Sequence, residues 1–366
     1  LIDVKIGSTI PIKHMKTNLL SIFSLIIFLT ACSDENISDS EHAVSIFHLP
    51  IPEGFPEPEF PTDNQLTKAR IELGKKLFYD TRLSIDSTIA CVSCHIPNLA
   101  FSDSVAISPG VKRKLGFRNA PTLANVAYLG KKKVNKDGGV VKLDLQAVVP
   151  IEDEMEMGFT IAGLSKRLQN IPEYEPLFQK AYNRGADPFS ITRALGSFLR
   201  TLISGNSRYD QYVNQKKENA LTESEKRGKT IFFDKVNCGN CHHGHNLTNY
   251  EFANVGVHEK YADRGRARIT LDEKDDGKFR VPTLRNIALT APYMHDGSIA
   301  TLEEVIEHYI IGGKDHPNKD PRIQPINLTE ADKVDLIHFF ESLTDSAFIN
   351  NQNFLPNESN SNAMKQ

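Results

Sequence analysis

Apolar residues recur at three- and four-residue spacing through much of this chain, the pattern of helices that bury one face. Thr67–Tyr79, Ile161–Leu168, Pro188–Ile203, Thr222–Phe233, Leu302–Ile310 and Thr329–Leu343 all carry it. Two of these open on a capping signal, Thr222 with Glu225 and Thr329 with Asp332: a hydroxyl at the N-cap and a carboxylate three residues on. Strict alternation is scarce, so the expected class is mainly α. Lys131–Gly139, Asp272–Lys278 and Gly312–Pro325 are rich in Gly, Pro and Lys and are expected loops. The Asn/Ser-rich end, residues 350–366, is expected to be a disordered tail.

The start follows a different pattern. Leu1–His14 precede Met15 and are expected to lie upstream of the true start. Lys16, the apolar run Leu19–Leu29 and Thr30-Ala31-Cys32 then have the layout of a secretory signal, and the run is too short for a comfortable membrane span. Leu29-Thr30-Ala31-Cys32 resembles the bacterial lipobox, whose Cys is lipidated; a plain signal peptide with an incidental Cys is the alternative. The expectation is a signal over residues 1–32, a lipid anchor on Cys32 and a tether over 33–60, polar in Ser33–Ala43. The location implied is the periplasmic side of a bacterial membrane.

An internal repeat sets the organisation. Gly74-Lys75-Lys76-Leu77-Phe78-Tyr79-Asp80 is echoed by Gly228-Lys229-Thr230-Ile231-Phe232-Phe233-Asp234. Phe117-Arg118-Asn119-Ala120-Pro121-Thr122-Leu123-Ala124-Asn125-Val126-Ala127 is echoed, with one residue dropped, by Phe279-Arg280-Val281-Pro282-Thr283-Leu284-Arg285-Asn286-Ile287-Ala288. Two echoes in the same order indicate a duplicated domain, with halves over 61–215 and 216–349. The 366 residues, 40% of them apolar, suffice for two ordinary cores, and a net charge of −3 argues against a nucleic-acid partner.

Between the echoes of each half lies a Cys-x-x-Cys-His motif: Cys91-Val92-Ser93-Cys94-His95 and Cys238-Gly239-Asn240-Cys241-His242. Two thiols at this spacing reach the two vinyl positions along one porphyrin edge, and the adjacent His points at the iron. A zinc site would draw on both Cys pairs without a His after each, and a redox dithiol would not be duplicated with its His kept. The motifs therefore read as two covalently bound haem c groups, with His95 and His242 as proximal ligands. Residues 96–241 hold no His, so the first haem finds no second imidazole in its own half. Met155 and Met157 are the Met residues there, and a remote His such as His258 or His295 is the alternative to an open iron face.

The region from about Gly74 to Leu343, with its paired motifs, resembles the bacterial dihaem cytochrome c peroxidase and MauG family. The resemblance implies two cytochrome-c-like haem domains facing each other, with hydrogen peroxide reduced at the N-terminal haem. Electrons would enter through the C-terminal haem from a small c-type cytochrome or cupredoxin. Leu145-Gln146-Ala147-Val148-Val149-Pro150 and Glu156-Met157-Gly158 look like the family's active-site segment, which implies Gln146 and Glu156 over the first haem and Glu156 as a proton carrier. Read alone, Glu156 would be a solvated loop residue. The loop His of conventional members would fall near Val111, and Ser108-Pro109-Gly110-Val111 resembles the MauG-like branch instead.

For the second haem, the offset from Pro292-Tyr293-Met294-His295-Asp296-Gly297 carries the family's sixth ligand to Tyr309; Met294, His308, or Tyr309 as a mere core aromatic are the alternatives. The resemblance also implies one Ca²⁺ held by Asn119 and the carbonyls of Thr290 and Pro292, Asn119 reading otherwise as a turn residue, and Arg280 as a haem-propionate partner. His243 and His245 read as solvent-facing. One departure stands out. The family's Trp between the haems falls at Lys136, and the chain has no Trp; Tyr128 or direct tunnelling would have to substitute. That bears on the MauG-like alternative, oxidation of a protein side chain; a pure electron-transfer dihaem cytochrome is the other.

Overall fold

A computed structural model describes residues 45–130 and 132–356. The expected signal, Cys32 and Ser33–Ala43 lie outside the described residues, as does the tail from 357. The fold is mainly helical. The first half carries α1 (Lys68–Phe78), α2 (Leu143–Gln146), α3 (Val148–Glu152), α4 (Ile161–Gln169), α5 (Glu175–Tyr182) and α6 (Pro188–Leu199). After α7 (Arg208–Val213) the second half carries α8 (Glu223–Thr230), α9 (Ala267–Thr270), α10 (Leu302–Ile310) and α11 (Glu330–Ser342), and then α12 (Ser346–Ile349). One small antiparallel pair, β1 (Phe252–Ala253) with β2 (Phe279–Arg280), is the only sheet among the described residues.

Each half is built on one close helix crossing, and the first sequence echo makes it. α1 crosses α6 at Gly74, where a Cβ would sit 1.9 Å from the Ala194 carbonyl oxygen. α8 crosses α11 at Gly228, where a Cβ would sit 2.0 Å from the Asp335 carbonyl oxygen. Packed cores leave no slack for such an overlap. Beside each crossing the echoed aromatic meets its counterpart: Phe78 and Phe198 have ring centroids 5.2 Å apart, as do Phe232 and Phe339.

The expected caps form: Thr222 and Thr329 accept from the backbone N–H of Glu225 and Asp332, whose carboxylates accept in return. Two helices are shorter than their patterns. Pro188–Ile203 stops at Leu199, because Arg200 turns its guanidinium to Asp144 at 2.7 and 2.9 Å and the chain tightens through Thr201 N–H to the Phe198 carbonyl. Thr222–Phe233 gives way after Thr230 to a π turn, Ile231–Lys235, closed by Val236 N–H on the Ile231 carbonyl. α5 has too few periods, and a Pro at its second position, to be legible from spacing.

The ends need correcting. Residues 350–356, expected as loose tail, form a 3₁₀ turn over Gln352–Phe354. Phe354 is buried against Phe101 and Phe348 in the first half's core, and Tyr79 donates to its carbonyl at 2.9 Å. Two aromatics within six residues outweigh the polar composition around them. The chain after Leu343 thus returns to the first half, although the expected boundary put residues up to 349 in the second. The described part of the expected tether, 45–60, is likewise packed: Ile46 bridges to Thr67, and the Phe55 ring lies 5.8 Å from Tyr128 and 5.3 Å from His245.

The second echo joins the halves. Asn125 and Asn286 both take left-handed backbone, at φ 62 and 59°. Asn125 donates its N–H to the Leu202 carbonyl and accepts from Ser204 N–H; Asn286 donates to the Leu343 carbonyl and accepts from Asp345 N–H. Each then crosses over, Asn125 Nδ2 to Asn246 Oδ1 at 3.1 Å and Asn286 Nδ2 to Ser204 Oγ at 3.0 Å. A fully buried Arg285–Asp210 pair at 2.5 Å adds to this core.

Gly228→Ala should lower stability by about 1–3 kcal/mol, the usual cost of overpacking. Gly116→Ala, where nothing lies within 4 Å of the added methyl, should change it by less than about 0.5 kcal/mol. Thermal unfolding of the two haem-loaded variants checks the pair; equal midpoints would show that the crossing has room.

Candidate functional site

The two Cys-x-x-Cys-His motifs fold alike. Cys91–Ser93 and Cys238–Asn240 are single 3₁₀ turns, and His95 and His242 each donate a backbone N–H, at 3.0 Å, to the carbonyl of the first Cys of the motif. Both imidazoles are half-buried and crowded by protein. His95 Nδ1 lies 2.9 Å from the Phe101 carbonyl and His242 Nδ1 3.2 Å from that of Leu247, so each ring turns its Nε2 away from the turn. Burial holds both below the usual imidazole range, His242 down to about 4, which keeps the neutral, metal-binding form.

The carbonyls that orient the rings are themselves fixed by the second echo. Phe101 and Leu247 adopt left-handed φ, 59 and 48°. Thr122 donates its hydroxyl to Ala100 O at 2.5 Å, and Thr283 donates to Asn246 O at 2.7 Å, each one residue before the orienting carbonyl. Pro121 and Pro282 present carbonyls to the two rings.

The four thiols are unpaired, and burial pushes them up, Cys91 to about 12 and Cys94 and Cys238 to about 11. Reactive dithiols and zinc thiolates need the opposite shift. Among the described residues the two pairs do not gather into one four-thiol cluster. The halves therefore fit two haem c groups: Cys91, Cys94, Cys238 and Cys241 would hold them, with His95 and His242 toward the irons.

Around the first motif stands Glu156. The segment after α3 folds back on itself, Met157 N–H to the Pro150 carbonyl at 3.0 Å and Phe159 N–H to the Ile151 carbonyl at 2.8 Å. Val111 N–H donates to the Glu156 carbonyl at 2.7 Å, so the Ser108–Val111 loop and the Glu156 segment meet. The Glu156 carboxyl is close enough to Cys91 and Cys94 to raise both thiols. Its surface is accessible, yet protein crowds it; that desolvation, with Asp153, pushes it up to about 7 against a pull from Arg118. Gln146 closes α2 and donates through Nε2 to Asn135 Oδ1 at 3.3 Å, while its Oε1 is buried with no partner. No hydrogen bond joins Gln146 to Glu156 among the described residues. Met157 is a core residue, 3% exposed, and Met155 lies at the surface.

Tyr309, on α10, stands by the second motif. Burial raises its phenol first, and Cys238 and Cys241 raise it further, which puts the ring beside the thiol pair. Its helical neighbour His308 is tied through Nε2 to the Val255 carbonyl at 2.9 Å, and Met294 sits on strained left-handed backbone at φ 74°.

A polar strip joins the two sites. Arg280 donates its N–H to the Lys136 carbonyl at 2.7 Å and its Nε to the Asn135 carbonyl at 3.2 Å, the residue that Gln146 also holds. Burial lowers Arg280 to about 10, and no carboxylate pairs with it among the described residues. A half-buried guanidinium left so lacks an anion, and a haem propionate suits it. Its echo partner Arg118 is satisfied instead by Asp137 at 2.7 Å and, across the halves, by Asp263 at 2.5 Å. Lys136 donates to the His295 carbonyl at 3.1 Å; burial, then Arg118, lowers it to about 7.

Asn119 reaches the same junction. Its N–H donates to the His295 carbonyl at 2.9 Å and its Nδ2 to the Val105 carbonyl at 3.0 Å; among the described residues it makes no hydrogen bond to Thr290 or Pro292. His243 is exposed as expected, but His245 is not solvent-facing. Its Nε2 is buried without a partner, 4.7 Å separates its ring from that of Tyr128, and burial lowers it to about 4. Phe55, in the expected tether, closes over both rings. Sequence reasoning also missed the Arg118–Asp263 pair, although the echo of Arg118 with Arg280 was its signal.

Comparison with known proteins agrees with this architecture. A family model described as di-haem cytochrome c peroxidase matches residues 68–218, and one described as cytochrome c matches 225–344. The chain is 37% identical over 311 residues to the methylamine utilization protein MauG of Methylophilus methylotrophus, covering 82% of this chain and 90% of that protein. It is 34% identical to the cytochrome-c peroxidase IdrP1 of Denitromonas iodatirespirans, covering 78% of this chain and 84% of the relative. The crystal structure of a MauG-like protein associated with microbial copper homeostasis superposes with a TM-score of 0.79 at 34% identity, over 85% of this chain and 99% of the other. The chain belongs to the di-haem cytochrome c peroxidase family, of which MauG is a relative, and its two cytochrome c domains imply two haem c groups.

Proposed function

We propose that this protein reduces hydrogen peroxide to water in its N-terminal half, with electrons entering through the C-terminal half from a small c-type cytochrome or cupredoxin. The observation that carries the reading is Glu156, a carboxyl near the first Cys pair whose pKa lies at about 7. The haem iron would supply the centre at which the O–O bond is reduced, two electrons and two protons turning one peroxide into two waters. Below about pH 7 Glu156 holds a proton and above it does not, so near neutrality it can take one from the near peroxide oxygen and deliver it to the far one. Gln146, with its buried free Oε1, would orient the same face. The absence of any His between residues 96 and 241 supports an open first iron.

Tyr309 favours a second reading. A phenolate on the second haem lowers its potential relative to Met and stabilises oxidised states. That suits a MauG-like oxidation of a protein side chain, and a MauG is among the relatives. Lys136, at the position that the family resemblance assigns to Trp, weighs against it. A pure electron-transfer cytochrome would need both irons six-coordinate. The proposal further takes one Ca²⁺ on the Asn119 side chain and the carbonyls of Thr290 and Pro292, oxygen donors suited to a hard cation. It also takes a lipid anchor at Cys32 that holds the protein on the periplasmic side.

Three outcomes are expected. Resting ferric protein should give a high-spin component by electron paramagnetic resonance; two low-spin signals alone near neutral pH would sink the open-iron reading. Glu156→Gln should cut donor-linked peroxide turnover by roughly 10²–10⁴ while both haems stay attached, and near-parental rates would move the proton role elsewhere. Tyr309→Phe should change the low-spin signal of the second haem and raise its potential. An unchanged signal and potential would make Tyr309 a core aromatic, and sustained turnover on a small cytochrome would then favour the donor-fed peroxidase.

A further inference from the structure

Beside the polar strip, and separate from both Cys pairs, three side chains converge that no step above uses. His258 Nε2 lies 2.7 Å from Asp296 Oδ2, and His295 Nδ1 lies 3.8 Å from Asp296 Oδ1. One donor atom from each of the three falls within 4.8 Å of the others, a combination that no other His, Cys, Asp or Glu group among the described residues achieves. The His258–Asp296 hydrogen bond by itself would make this an ordinary polar pair. His295 does not fit that account. It is 9% exposed, its ring is stacked on Phe279 at 4.0 Å, and neither ring nitrogen makes a hydrogen bond among the described residues. The ring is held by packing against Phe279 and Tyr261 rather than by a hydrogen bond, which leaves its nitrogens free to bind a metal.

We infer that His258, His295 and Asp296 form a site for a divalent transition metal of the zinc class, with a fourth position open to water. Two imidazoles and a carboxylate are a donor set zinc takes, and nitrogen donors disfavour calcium and magnesium. The site has walls and an entrance. Tyr261 packs against both imidazoles, at 5.4 and 5.6 Å between ring centroids, while the His258 and Asp296 side chains stay 32 and 22% exposed. The charges facing it are mixed: Asp296 and Asp263 favour a cation, Lys136 opposes one, and Arg118 is already bound to Asp263 and Asp137. Asp296 Oδ1 also accepts from Ser298 N–H at 3.1 Å, which fixes the carboxylate for its second oxygen to bind. A metal here would clamp the 293–297 loop, whose His295 carbonyl holds Asn119 and Lys136 of the first half. It would therefore stiffen the junction between the halves without touching either Cys pair.

The test uses the exported, haem-loaded chain, stripped with a chelator and equilibrated with zinc in excess calcium, which occupies oxygen-donor sites. Metal content is then read against iron. The expected result is about one zinc per two irons, with retention weakened at least tenfold in His258→Gln and in Asp296→Asn. Haem content and spectra should match the parent in both variants, which also reports that they fold. No zinc on the parent, or equal zinc on parent and variants, overturns the proposal. A changed haem spectrum in His258→Gln with unchanged zinc would instead assign that imidazole to an iron.

Discussion

Everything in this fold depends on aiming two imidazoles. A free histidine ring can rotate, and a ligand that wanders cannot hold an iron in place. Here each ring is pinned through Nδ1 to a backbone carbonyl, Phe101 for His95 and Leu247 for His242. Those carbonyls point correctly because their residues take left-handed backbone, and the turns hold because Thr122 and Thr283 bind the residue just before. The Thr residues are placed by Asn125 and Asn286, which lock the same segment to the end of the last long helix in each half. That helix is placed in turn by the crossings at Gly74 and Gly228. The duplicated sequence segments are thus links in one mechanical chain ending at Nε2.

The scaffold is repeated; the chemistry added to it is not. Only the first half inserts α2, α3 and the fold-back that brings a carboxyl near Cys91 and Cys94. The second half brings the Tyr309 phenol beside its Cys pair. The paired arginines diverge in the same sense. Arg118 pairs with two aspartates, one across the interface, while Arg280 has no carboxylate partner among the described residues and is suited to an anionic group brought by a cofactor. The two halves thus share one cradle and differ in what is placed beside it: an inserted carboxyl in the first, a phenol in the second.

What was legible in the sequence follows from this division. Local patterns report themselves: the caps at Thr222 and Thr329, the Cys-x-x-Cys-His turns, and the echoes that make the crossings all depend on residues near one another in the chain. Contacts between distant residues left no such trace. Phe354 reads as part of a polar tail because its partners Phe101 and Tyr79 are more than 250 residues away. Phe55 reads as tether, and His245 as a surface residue, because each is covered by residues from the other half or from the far end. Glu156 sits in an acidic run that looks solvated; its raised pKa comes from the fold-back, which no periodicity announces.

The interface between the halves carries the last step of the argument. Gln146, Asn135 and Arg280 form one hydrogen-bonded path from the first half into the second, and Lys136 lies on it, bound to the His295 carbonyl. A lysine here cannot be oxidised as an aromatic can, so it offers no stepping stone for an electron. Its contribution is electrostatic. Burial lowers it to about 7, and Arg118, Arg280, Asp263 and Asp296 all act on it. Along this path the side chains are polar and charged, while the aromatics at the junction, Tyr128 and Phe55, pack together on His245.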